Sequence, residues 1–134
     1  MDYNEVLYES YQRCIEKPLF LKQFLEIFSG CNPKFSMMFE NVDLERQERM
    51  IKAALILLFN ASGVDGIRML VKRLVQRHRD MGIHIQAEEL DIWFDALLHT
   101  VEQHDPHYND EIKEAWIKVF SIGLNAMKEE CTAS

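Results

Sequence analysis

Apolar residues recur at three- and four-residue spacing along almost the whole chain, and only five glycines and three prolines interrupt them. That period is helical, and no stretch alternates polar with apolar residues for long enough to predict a strand. A first helix is predicted from about Tyr3 to Glu16. Pro18, suited to a helical first turn, begins a second that carries Phe20, Phe24, Leu25 and Phe28 towards Gly30. Pro33 opens a short turn of helix with Phe35, Met38 and Phe39. Asn41 or Asp43 then caps a longer helix reaching Asn60, closed by Ala61-Ser62-Gly63 with Gly63 as a left-handed cap. Further helices run from about Asp65 to Met81, ended by Gly82, then from Ala87 to Gln103 and from Asp110 to Glu130, with Pro106 marking the last turn.

Length and composition narrow this to one domain over residues 1–134. The chain is 48% hydrophobic and 28% charged, with eight Phe, four Tyr and two Trp, which argues for a packed core and against disorder. Charges break every run that approaches the ~20 apolar residues of a membrane span, so no membrane is expected. The acidic start Met-Asp-Tyr-Asn-Glu does not read as a secretory signal, and Cys14, Cys31 and Cys131 form no CxxC, so a reducing, cytoplasmic setting is expected. A net charge of -7 argues against nucleic acid as a main partner.

Two polar residues interrupt the apolar stripes. Gln47 shares a helical face with Ile51, Ala54, Leu55 and Leu58. An unpaired buried amide costs roughly 1 to 3 kcal/mol, so Gln47 either reaches solvent at the helix start or faces a group that needs a hydrogen bond. His78 follows Ile67, Val71 and Leu74 on the next stripe, where it is either a satisfied core histidine or a metal ligand. Together they describe two helices presenting nitrogen-bearing side chains to opposite faces of a buried flat cofactor.

At these residues the sequence resembles the globin family, from Glu9 to Met127. Pro33 followed by Phe39 looks like the globin corner where a phenylalanine stacks on porphyrin, and Leu74-x3-His78-x3-Gly82 looks like the proximal helix. Arg46-Gln47-Glu48-Arg49-Met50-Ile51 is similar to the distal segment of bacterial single-domain globins and flavohaemoglobin haem domains; Trp93, Asp105-Pro106 and Trp116 sit where that group has them. The resemblance implies an all-α three-over-three globin fold with helices A, B, C, E, F, G and H and no D helix. It implies haem b as cofactor, His78 as the iron ligand and Gln47 as the hydrogen-bond donor on the distal side. The other expected pocket residues are Leu25, Phe39, Ile51, Leu74, Ile85, Leu90 and Trp93, with His84 placed near the haem propionates. The second ring nitrogen of His78 is expected to donate to a carbonyl of the preceding helical turn near Leu74.

The function so implied is reversible binding of O2, or of another diatomic gas such as NO or CO, at ferrous iron, for storage, delivery, scavenging or sensing. Leu25 and Leu90 stand where relatives often have tyrosines, so a greasy distal side and a weakly electron-donating histidine are expected. An enzymatic role, as nitric oxide dioxygenase or weak peroxidase, would need an external reductase. A haem-free globin-like sensory or interaction module is the alternative from a different class. The cationic Arg68, Lys72, Arg73, Arg77 and Arg79 read as a solvated face, with a reductase docking patch as the other reading. Asp105-Pro106-His107 reads as a solvated corner beside His99 and His104, and the cysteines as plain thiols.

Overall fold

The computed structural model describes residues 2–40, 43–60 and 67–132. They form α1 (Tyr3–Ile15), α2 (Phe20–Ser29), α3 (Pro33–Met38), α4 (Leu44–Phe59), α5 (Ile67–Asp80), α6 (Ala87–His104) and α7 (Asp110–Thr132). Among these residues there is no strand, and no helix is long and apolar enough to cross a membrane. The expected cap at Gly63, the start near Asp65, the alternative cap Asn41 and the side chain of Ile67 lie outside what is described.

Local chemistry sets the helix ends. Asp2 accepts from Asn4 N at 3.0 Å, Asn32 Oδ1 accepts from Phe35 N at 3.1 Å ahead of Pro33, and Asp43 Oδ1 accepts from Glu45 N at 3.1 Å. Each satisfies a backbone donor that the first helical turn leaves open. Glu89 reaches back to Gln86 N at 2.7 Å to start α6. Pro18 falls in the turn before α2, because the chain first folds back through Phe20 N to Lys17 O and the helix starts only at Phe20. Gly82 ends α5 with φ of +81°, where Gly82 N donates to Arg79 O and Ile83 N to His78 O at 2.8 Å. These two hydrogen bonds form a Schellman turn, and its left-handed residue has to be glycine to avoid Cβ strain.

The helices pack as a three-over-three sandwich. Helices α1, α4 and α5 each lie across α7, while α2 lies against α6, which also packs on α7. Trp116, Phe20, Phe24, Phe35 and Phe120 are the largest fully buried side chains, and Trp116 stacks on Phe120 with centroids 5.3 Å apart. Such rings each bury ~150–250 Å² and dominate the core energetics.

A buried polar cluster ties the two ends of the chain together. Asp105, only 4% exposed, accepts from Ser10 Oγ at 2.6 Å, from Arg13 Nε at 2.7 Å and Arg13 Nη2 at 3.0 Å, and from His107 N at 2.9 Å. Trp116 Nε1 donates to Ser10 Oγ at 2.9 Å. The corner read as solvated is therefore an anchor: the exposed residues are Pro106 and His107, and Asp105 turns inward to meet α1. Sequence spacing could not show this, because its partners lie more than ninety positions away.

Candidate functional site

A cavity of about 670 Å³ opens between α2, α3, α4, α5 and α6. Its size falls in the ~300–1,000 Å³ range of small-molecule sites. The α4 wall is Gln47, Met50, Ile51 and Ala54, with Leu25 of α2 beside it. The amphipathic period explains it: Gln47, Ile51 and Ala54 recur at four, then three residues, and face inward together. At the front, Asn32 and Pro33 start α3 so that Phe35, Met38 and Phe39 close the cavity, and Phe28 stacks on Phe35 with centroids 4.2 Å apart and meets Phe39 edge-on at 6.1 Å. The opposite wall is Leu74 and His78 of α5, followed by Ile83 and Ile85 after the Schellman turn, then Leu90 and Trp93 of α6. Trp93 is held by an edge contact with Phe24 at 5.5 Å.

His78 is fixed by its own helix. Its Nδ1 lies 2.8 Å from Leu74 O, so Nδ1–H donates to that carbonyl and Nε2 keeps the lone pair. The expected carbonyl partner near Leu74 is the one found. The Schellman turn adds a second restraint, since Ile83 N binds the carbonyl of His78 itself. Across the cavity, the amide of Gln47 has no hydrogen-bond partner among the described residues.

Every pocket residue expected from the sequence lines this cavity except His84. The His84 side chain is exposed, and its contribution is its carbonyl, which accepts from Lys34 Nζ at 3.2 Å. Lys34 also pairs with Glu89 at 2.8 Å, so one side chain of α3 staples the corner after α5 and the start of α6 at the cavity rim.

The rim holds the residues that sequence reading missed. Arg46 and Arg77 both line the cavity, and neither has an ion pair among the described residues. The signal was available: each directly precedes an inward-facing residue, Gln47 or His78, and so lies about 100° round the helix, at the edge of the inward face. The two acids at the rim are already engaged, Asp43 as the α4 cap and Glu89 with Lys34. Met38, Met50, Met81 and Met127 also line the cavity, an adaptable thioether lining suited to a broad apolar surface.

Other candidates lie away from the cavity. His104 packs edge-on against Phe20 at 5.7 Å and bonds Gln23, which bonds Gln103, whose Nε2 lies 3.0 Å from His99 Nε2. This chain of side chains links α2 to α6. Cys14 is fully buried, and burial pushes its thiol up to about 12, while Cys31 is exposed and Cys131 half-buried.

No protein-family model and no curated protein matches the sequence. A solved structure from Pseudomonas aeruginosa, described as structurally highly homologous to a human hemoglobin, is similar to this chain with a TM-score of 0.87 at 26% identity, over 96% of this chain and 98% of its own. Helix order, sandwich packing and this likeness over nearly the full length agree: the chain has the globin fold.

Proposed function

We propose that the cavity holds haem and that the protein binds a diatomic gas, O2 foremost, at ferrous iron. The observation that carries this reading is the imidazole of His78, oriented by Leu74 O at 2.8 Å and leaving Nε2 as the free donor on a cavity-lining side chain. A metal-binding histidine is commonly held in this way, with the other ring nitrogen donating to a carbonyl that fixes tautomer and ring angle.

The remaining walls fit the same group. Aromatic and aliphatic side chains suit a porphyrin's apolar faces, with Phe39 placed to cover the ring at the front corner. Arg46 and Arg77, unpaired at the rim, match the two propionate carboxylates, a role His84 cannot fill from its exposed position. When bound, haem supplies an iron with one position open to a gas ligand. Leu25 and Ile51 keep water from the distal half, and Gln47 offers an uncharged N–H to a ligand there, adding a hydrogen bond of about 1 kcal/mol without burying a charge. With Leu25 and Leu90 both apolar, no tyrosine hydroxyl reinforces either side.

Reconstitution of the purified protein with haem, followed by visible spectra of the ferric, ferrous and carbonyl forms, tests this. A Soret band and a five-coordinate high-spin ferrous spectrum are expected, with the band lost or displaced in His78→Ala. Full haem retention and an unchanged ferrous spectrum in His78→Ala would refute the assignment of His78, and absence of stoichiometric haem binding would refute the reading as a whole.

A further inference from the structure

We propose that the outward face of α5 and the turn after it, from Met69 to Met81, is the docking surface for an acidic protein that seats beside the cavity mouth. The inference stands on charge and exposure; Arg77 is shared with the cavity rim, and the cations that carry the inference whatever the cavity holds are Lys72 and Arg73. The chain carries a net charge of -7, yet α5 gathers Arg68, Lys72, Arg73, Arg77 and Arg79 against the single acid Asp80. Part of that charge is answered internally. Arg68 pairs with Glu129 at 2.6 Å, and Arg79 reaches Glu130 O at 3.1 Å. Asp80 is taken by Gln76 at 2.9 Å. Lys72, Arg73 and Arg77 are exposed and have no ion pair among the described residues.

Helical geometry gathers these groups into one surface. Val71 and Val75 are buried, and Met69, Arg73 and Arg77 recur every four residues on the opposite side, with Lys72 and Leu70 flanking them. Apolar groups stand among the cations: Met69 is 61% exposed, Leu70 38% and Met81 55%. Arginine and methionine are among the residues enriched in protein interfaces, and a cationic rim around apolar anchors calls for carboxylates around an apolar patch on the partner. An extended polyanion such as nucleic acid would meet the acidic remainder of the molecule, whereas a compact partner touches the patch alone. Arg77 and Met81 belong both to this face and to the cavity rim, so a docked partner reaches one edge of the mouth.

A calorimetric titration with oxidised [2Fe–2S] ferredoxin as the small acidic probe tests the surface. At about 20 mM salt, saturable binding is expected, weakening at least tenfold by about 200 mM as screening shortens the range of the field. Lys72→Glu and Arg73→Glu should each weaken it about tenfold. Lys113→Glu, the same change of net charge on an exposed site of α7, should leave it unchanged within twofold. All three positions are solvent-exposed, and thermal melts confirm that the variants fold. Absence of saturable binding at low salt overturns the proposal, as does equal weakening by Lys113→Glu, which would mean net charge alone. Sedimentation at low salt adds a further check: self-association abolished by Lys72→Glu would make a second copy of this chain the occupant and overturn the acidic partner.

Discussion

Replacing Asp105 by asparagine keeps the side chain's shape and removes its charge. The carboxylate is fully buried and accepts four hydrogen bonds from three residues, two of them from Arg13, whose side chain is only 26% exposed. An asparagine turns one acceptor into a donor, so at least one of Ser10 Oγ and Arg13 is left facing an N–H group, and the guanidinium loses its counter-charge. Breaking a buried pair from one side costs ~3–5 kcal/mol, and the partial exposure of Arg13 places the expectation at the lower end, about 3 kcal/mol. For a domain of this size that lowers the melting temperature by about 10 °C. Burial pushes the Asp105 carboxyl up, but the bonds from Arg13, Ser10 and His107 N outweigh it and hold the group below the usual 3.8. A folded pKa below the unfolded one means that the stabilisation is complete above about pH 4 and is lost as pH falls through the folded value. Chemical denaturation of wild type and Asp105→Asn, compared at neutral pH and in steps below pH 4, checks both claims. Equal stabilities at neutral pH, or a gap that persists undiminished in acid, would refute the reasoning.

Gly82→Ala should destabilise the fold by about 1 kcal/mol through backbone strain alone, since φ is +81° and no heavy atom beyond the adjoining residues lies within 4 Å of the added Cβ; a melt at unchanged temperature would contradict this. With its thiol raised to about 12 and fully buried, Cys14 should resist alkylation at pH 8 while Cys31 reacts at once, and peptide mass mapping before and after unfolding tells them apart. In haem-loaded protein, Gln47→Leu should speed oxygen release about tenfold, equivalent to ~1.4 kcal/mol, and stopped-flow ligand replacement reads it; an unchanged rate would mean that the amide does not reach the ligand.

Among the described residues, helix boundaries were legible to within two residues because they depend on local chemistry: the Asn32-Pro33 start, the Asp43 cap and the Gly82 stop are all read from adjacent positions. Two of the cavity walls, on α4 and α5, were legible for a related reason, whereas Leu25, Phe39, Ile85, Leu90 and Trp93 were implied only by the resemblance to globins. Gln47 and His78 break otherwise apolar stripes, and a helical period converts that break into a direction. What escaped was whatever depends on distant partners or on which way a side chain turns. Asp105 reads as a surface corner until α1 brings Ser10 and Arg13 to it. His84 sits close to His78 in sequence, yet the turn after α5 sends its ring to solvent and offers only its carbonyl inward, to Lys34.

The placement of α5 bears on how the molecule opens. Its one substantial helix neighbour among the described residues is α7, and much of its remaining inward surface borders the cavity. A helix held along one flank separates in a sub-global unfolding step at lower free energy than the rest, and its amides should exchange with solvent before those of α1, α6 and α7. Whatever fills the cavity supplies the missing neighbour. Occupancy is then linked to the ordering of the helix that carries His78, with exchange protection along α5 rising as the site fills.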